Sequence, residues 1–252
     1  NQFSPSAKCK VIHIGPEPLF NSIPIRSFQS HFNLRSNVAI ALEKLSSVGR
    51  KIRFEFDWPK RTQIEELSSD VDQRLTKESI ESTIAQLWND QMILINELSL
   101  PVGRIPFKKH GSYFRTGSAS GLGWACGCSL GLGLADKNKR ILNVVGDGAY
   151  YFGNPMCYHW LAEKEKIPVI TIILNNGGMP SISKNTQALF AEKQVSHEKG
   201  LPFLDFGKFT KFENISQVFG FSGYHCNTKT AFEEALKDAL NNNKQAVINA
   251  VI

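Results

Sequence analysis

Three short runs of nearly unbroken apolar residues limit what this chain can fold into: Ile141 to Val145, Pro168 to Leu174, and Ala246 to Val251. A strand wetted on one face alternates apolar and polar residues, whereas a strand covered on both faces does not. Each run has the length of a strand, and helical spacing fills the intervals: Pro155 to Lys166, a helix ending over Ile215 to Phe219, and Thr230 to Leu240. Ahead of them, Thr76 to Asp90 carries Ile80, Ile84, Leu87 and Trp88 on one helical stripe, followed by a short buried strand at Met92 to Ile95. Gly223 to Cys226 reads as one more short strand. The expectation is an α/β fold, doubly wound, with a mostly parallel sheet and helices on both faces.

The first part of the chain is less regular. Lys10 to Ile14 reads as a strand ending in the turn signal Gly15-Pro16, and Asn33 to Leu45 as a helix with Val38, Ala41, Leu42 and Leu45 on one side. From Ser46 to Glu66 the sequence is charged and irregular, as a linker between domains would be. Thr116 to Ala135 carries no charge and is long enough to span a bilayer. Its six glycines and three serines weaken its transfer into lipid, so it reads as a buried segment of a soluble domain.

Composition excludes other classes. With 42% hydrophobic and 21% charged residues the chain is neither disordered nor a disulfide-knot scaffold. The net charge of +6 comes from scattered lysines and arginines, which suits a solvated surface and gives no nucleic-acid patch. Five cysteines, with no CxxC pair, read as buried free thiols in a reducing compartment, cytoplasm or mitochondrion. Cys126 and Cys128 lack the second ligand pair of a zinc site. The polar start, Asn1-Gln-Phe-Ser-Pro, does not read as a signal peptide. His110, His159 and His197 have no spacing that suggests a metal or a triad, and read as surface or core.

Ligands of open α/β sheets bind at the carboxyl ends of the strands, so the segments after the strongest strands carry the chemistry. Gly146-Asp147-Gly148-Ala149-Tyr150 offers a carboxylate between two glycines, where backbone can approach a ligand closely. Tyr150 reads as packing at a helix entry or lining the site. Asn175-Asn176-Gly177-Gly178 offers two amides and permissive carbonyls. Either loop alone would serve as an ordinary turn. Together they supply hard oxygen ligands for Mg²⁺ or Ca²⁺, and Mg²⁺ usually completes its shell with phosphate oxygens and water.

Gly146-Asp147-Gly148, with Asn175-Asn176 one helix and one strand later, resembles the thiamine diphosphate signature. The runs 111–135 and 146–155, and Asn96-Glu97 after a buried strand, are similar to thiamine-diphosphate enzymes of the acetolactate synthase and benzoylformate decarboxylase group. Residues 11–28 resemble the end of that group's central domain. By position, the resemblance implies Mg²⁺ bound by Asp147, the Asn176 side chain and the Gly178 carbonyl. It implies a diphosphate held by N–H groups around Gly148 and Ala149 and by the Ser99 hydroxyl, with Gly146 and Met179 flanking it. Leu122 would lie beneath the bent cofactor, and the Ser120 carbonyl would accept from its 4′-amino group. Ala149 stands where the group commonly has Ser, Ser120 where Gly is frequent, and Met179-Pro180 where an aromatic residue and Gly are usual. Pro180, lacking an N–H, would alter the loop over the diphosphate.

The resemblance implies residues 1–50 as a remnant of the central domain, 51–75 as linker and 76–252 as the diphosphate-binding domain. The group's catalytic Glu belongs to a pyrimidine-binding domain not expected within this chain, and no catalytic residue is assigned. The expected activity is that of a 2-oxoacid decarboxylase or carboligase, working as a homo-oligomer with the pyrimidine-binding domain of another subunit or chain. Alternatives are a non-catalytic module keeping the fold for binding or assembly, and a nicotinamide-dependent oxidoreductase. Against the latter, Gly121-Leu-Gly123-Trp-Ala-Cys-Gly127 spoils the dinucleotide fingerprint.

Overall fold

The computed structural model describes residues 8–18, 30–49, 74–97, 100–116, 121–189, 204–207 and 210–252. The chain divides into two compact units, Asn1–Trp58 and Pro59–Ile252.

In the first unit, β1 (Ile12–Gly15) pairs in parallel with β2 (Phe32–Arg35), and α1 (Val38–Val48) follows. The helix expected from Asn33 therefore starts later. Residues 32–35 are drawn into the sheet, and the Asn37 side chain caps α1 by accepting from the N–H groups of Ala39 and Ile40. Apolar residues of α1 are exposed, Val38, Leu42, Leu45 and Val48 among them. Of the expected linker, Ser46 to Val48 belong to α1, and most of the rest lies outside the described residues.

The second unit is built on six parallel strands in the order β4-β3-β5-β6-β8-β7. They are β3 (Met92–Glu97), β4 (Tyr113–Arg115), β5 (Arg140–Gly146), β6 (Val169–Asn175), β7 (Ser222–Cys226) and β8 (Ala246–Val251). Successive side chains point to opposite faces, so β5 sends Leu142 and Val144 one way and Ile141 and Val145 the other. The first face packs against α2 (Lys77–Leu87) and α7 (Lys229–Asn241) through Ile80, Ile84, Phe232 and Leu236. The second packs against α3 (Trp124–Ala135) and α5 (Pro155–Lys164) through Ala125, Cys126, Tyr158 and Ala162. This is the doubly wound sheet expected from the three apolar runs.

Two details differ from the sequence expectation. The segment read as buried over 116–135 becomes α3 only from Trp124, and it is covered on one side alone. Ala125, Cys126, Ser129 and Gly133 face the sheet, while Gly127, Gly131 and Leu134 are exposed. Two of the five cysteines, Cys9 and Cys157, are exposed rather than buried; all five are free. Among the described residues no helix is long and apolar enough to cross a membrane.

The chain passes from β3 outward to the edge strand β4, then returns across β3 to form β5 and continues the other way. That reversal falls between β3 and β5, and ligands of such sheets sit at the carboxyl ends of the strands on either side of it. Glu97 closes β3 opposite Val145, and Gly146-Asp147 leaves β5 beside it.

Candidate functional site

β5 runs directly into α4 (Asp147–Phe152), so the segment read as a loop is the end of a strand and the first turn of a helix. Asp147 is only 2% exposed. Its Oδ1 accepts from the Gly148 N–H at 2.8 Å and its Oδ2 from the Gly178 N–H at 3.0 Å. Burial raises its pKa above the ordinary carboxylate value, opposed by the N–H groups of Gly148, Gly178, Gly177 and Asn176. Among the described residues no Lys, Arg or His forms an ion pair with it.

The two asparagines after β6 do different work. Asn175 is buried and turned into the scaffold, donating to the Asn249 side chain at 3.0 Å and to the Thr210 carbonyl at 3.3 Å. Its own oxygen accepts from the Gly177 N–H, which fixes the turn. Asn176 is exposed, and its Oδ1 lies 3.3 Å from the Gly178 nitrogen that also donates to Asp147. Asp147, Asn176 and Gly178 are thus brought together. Gly177, at φ +78, is in the left-handed region that glycine adopts without strain.

Sequence reasoning missed what holds this loop from the far side. The Met179 N–H donates to the Leu204 carbonyl at 2.9 Å, and the Phe206 N–H to the Gly177 carbonyl at 2.8 Å, an antiparallel bridge centred on Gly178 and Asp205. A Cβ on Gly178 would run into the Leu204 carbonyl. Phe206 in turn packs edge-on against Tyr151 of α4, whose hydroxyl meets Thr210. No side-chain pattern marks a clasp made of backbone pairing.

Met179 and Phe206 lie over Gly148; a Cβ there would stand 2.7 Å from the Met179 methyl. Pro180 opens α6 (Pro180–Leu189), and the Met179 carbonyl accepts from Ile182 and Ser183. At that first helical position a missing N–H costs little. A cavity of about 280 Å³ opens here, lined by Asn176, Gly178, Met179, Pro180, Ser183 and Asp205. Gly146 ends β5 and Ala149 is buried in α4. Leu122 is half-buried just before α3. Ser99 and Ser120 lie outside the described residues.

Tyr150 packs inside: its hydroxyl meets His159 Nε2 at 2.8 Å, and His159 Nδ1 meets Gln245 Oε1 at 3.0 Å. With the Gln245 oxygen as acceptor, Nδ1 carries the proton and Nε2 accepts from the tyrosine. Burial lowers the His159 pKa to about 4, opposed by the bond to Gln245. His159 is therefore a neutral core histidine, His110 is exposed, and His197 lies outside the described residues.

A second carboxylate, Glu97, is fully buried at the end of the neighbouring strand β3. Its Oε1 accepts from the Gly123 N–H at 2.6 Å and its Oε2 from the Ala125 N–H at 3.0 Å. Burial raises its pKa, opposed by those two donors.

One buried carboxylate without a paired cation, a neutral amide oxygen beside it and a glycine-rich loop make a donor set of hard oxygens. Among the described residues no group of three His, Cys, Asp or Glu could hold a metal, so any cation here relies on neutral oxygens as well as Asp147. Mg²⁺ shared with a diphosphate fits that set.

Residues 100–250 match the family model of the thiamine pyrophosphate enzymes' C-terminal TPP binding domain. The chain belongs to this family. It is 30% identical over 139 residues to a benzoylformate decarboxylase of Pseudomonas aeruginosa, covering 54% of this chain and 24% of that one. It is 25% identical over 150 residues to 2-hydroxyacyl-CoA lyase 1 of Dictyostelium discoideum, covering 58% and 26% respectively. Among solved structures, a thiamine diphosphate-dependent 4-hydroxybenzoylformate decarboxylase of Rhodococcus jostii superposes with a TM-score of 0.74 at 22% identity, covering 97% of this chain and 44% of that one. A benzoylformate decarboxylase of Polynucleobacter necessarius gives 0.71 at 17% identity, covering all of this chain and 46% of that one. The sequence thus carries the C-terminal TPP-binding domain of the family and spans less than half the length of these relatives.

Proposed function

We propose that this chain is the thiamine diphosphate- and Mg²⁺-binding portion of a 2-oxoacid decarboxylase or carboligase of the acetolactate synthase type. The observation that carries the reading is the convergence of the buried, cation-free Asp147 carboxylate and the Asn176 amide oxygen on one N–H, that of Gly178. Mg²⁺ would be held by Asp147, Asn176 and the Gly178 carbonyl. The diphosphate would be held by the backbone at Gly148 and Ala149, flanked by Gly146 and Met179, with Ser99 and Ser120 assigned from the sequence alone. Leu122 would support the rings. When bound, thiamine diphosphate supplies the nucleophilic carbon and the electron sink for decarboxylation. This chain's part is to anchor the anion, neutralise it through the cation and keep the rings from flattening.

The partner in this reading is a pyrimidine-binding domain from another subunit or chain, within a homo-oligomer, acting on a 2-oxoacid. Exposed Phe152, Met156 and Trp160 on α4 and α5 support a docking role for that side of the second unit. The exposed apolar residues of α1 support reading residues 1–50 as part of a larger central domain, with 51–75 as linker and 76–252 as the cofactor domain.

Titration calorimetry tests the assignment: thiamine diphosphate with Mg²⁺ binds the wild type and not Asp147→Ala. Absence of binding to the wild type, or unchanged binding by the variant, overturns it. A second reading, a non-catalytic binding or assembly module, is supported by Met179 lying over Gly148, where the diphosphate would be held. Recovery of 2-oxoacid turnover on adding a separately expressed pyrimidine-binding domain would count against that reading.

A further inference from the structure

We propose that Glu97 is a positioning residue for the cofactor: it fixes the turn that carries Leu122, and so governs how the rings are supported rather than how the diphosphate is anchored. The inference rests on the cofactor reading above and assigns a role to a buried carboxylate which that reading leaves unused.

The starting point is the weakness of α3. Its residues Trp124 to Ala135 include Gly127, Gly131 and Gly133, and each interior glycine weakens a helix relative to alanine. Its N-cap, Gly123, has no side chain with which to satisfy the first N–H groups. A helix so composed would fray at its start, and the residue immediately before the cap is Leu122.

Glu97 supplies the missing cap from the end of β3, 26 residues earlier in the chain. One carboxylate oxygen takes the Gly123 N–H and the other the Ala125 N–H, so both atoms are committed to backbone. Gly123 sits at φ +88 with no room for a side chain: a Cβ would stand 2.5 Å from the Gly153 nitrogen. Gly153 is closed in the same way, since its own Cβ would stand 2.5 Å from Cys126 Sγ. The foot of the turn is therefore pinned between the carboxylate at the end of β3 and the end of α4. The Trp124 indole N–H donates to the Thr116 hydroxyl at 3.0 Å, tying together the residues that flank the segment 117–123. Asp147 begins the helix whose other end presses on Gly123, so the anion anchor and the ring support meet through α4 while being held by different carboxylates.

Glu97→Gln separates the two jobs. The amide keeps the size of the carboxylate but turns one acceptor into a donor, which then faces an N–H of Gly123 or Ala125. The test compares the full chain and the variant by calorimetry with two probes in excess Mg²⁺: thiamine diphosphate and inorganic pyrophosphate. The expected result is about a tenfold loss of affinity for thiamine diphosphate, the size of one lost hydrogen bond to a charged group, with pyrophosphate affinity unchanged. Equal losses for both probes would make Glu97 a general structural residue, and no loss for either would make it irrelevant to the cofactor; both results overturn the proposal. If the wild type binds pyrophosphate but gains nothing from the thiamine rings, the cofactor reading fails and this inference with it. Should Glu97→Gln not fold by circular dichroism, Glu97→Asp takes its place. It keeps the charge but is too short for both bonds, and the same split between probes is expected.

Discussion

Glu97 and Asp147 stand at the ends of neighbouring strands, are both almost wholly buried, and both accept two backbone hydrogen bonds. The Glu97 partners belong to the turn and first residues of α3, and with them the carboxylate is complete: each oxygen has one donor and the burial is total. The Asp147 partners are its own helix and the loop after β6, and a second neutral oxygen, from Asn176, lies against the same N–H. Equal burial and equal hydrogen bonding thus serve different ends. What decides is whether a further oxygen converges on the carboxylate: among the described residues none does at Glu97, and that of Asn176 does at Asp147.

The effect that would break this comparison most directly is on cofactor binding. A ligand at 100 times its Kd stabilises a protein by about 2.7 kcal/mol. Asp147→Asn should lose that increment altogether, read as the shift in unfolding midpoint on adding Mg²⁺ and thiamine diphosphate. If Asp147→Asn is still stabilised by the pair, Asp147 is no different in kind from Glu97.

Acid sharpens the contrast from another side, because His159 braces α4, the helix that carries Asp147. Its folded pKa is about 4 against an ordinary 6.5. Above pH 6.5 neither folded nor unfolded chain binds the proton. Between 6.5 and 4 only the unfolded chain does, so stability falls through that window by about 3 kcal/mol. The groups around it are the Tyr150 hydroxyl and Gln245, the latter also bonded to Glu163. Denaturant unfolding at pH 7 and pH 4 should show His159→Leu losing less stability on acidification than the wild type, by about that amount. Equal losses would place the titrating group elsewhere.

Gly178→Ala comes next. Its methyl group meets the Leu204 carbonyl and must open the clasp, weakening Mg²⁺-dependent cofactor binding by roughly tenfold, the order of one lost hydrogen bond. A neutral result would mean that the pairing with Leu204 to Phe206 does not matter to the site. The smallest effect belongs to Tyr151→Phe, which removes only an exposed hydroxyl contact with Thr210. A change in unfolding free energy of about 0.5 kcal/mol is expected.

The parts of the molecule that were legible in the sequence are those that declare themselves through side-chain pattern. Strands β5, β6 and β8 show as apolar runs because both of their faces are covered, and Asp147 and Asn176 show because a carboxylate and an amide after such strands are chemically conspicuous. Strand β4 is three residues of mixed polarity, and β2 is four exposed residues, so neither interrupts the background. Gly146 to Tyr150 suggested a loop because glycine is a poor helix former, yet the chain turns helical at Asp147 once β5 ends. The partners of Glu97 are backbone N–H groups, and the clasp on Gly178 is backbone on backbone. Backbone is the same at every position, so a pattern of side chains cannot announce it.

The sheet of the second unit is parallel throughout, and this bears on how the site comes into being. Parallel neighbours cannot zip up from a hairpin; each pair needs a crossover closed first. The bonds at the site join residues far apart in the chain, 26 positions between Glu97 and Gly123 and 31 between Asp147 and Gly178. Such contacts form slowly, since the entropy of closing the loops is spent before any pairing rewards it. Glu97 meets its partners only once the start of α3 lies against the end of β3, and Asp147 meets Gly178 only once β5 and β6 lie side by side, so the site is assembled late, and a ligand that requires it favours the finished sheet over every earlier stage.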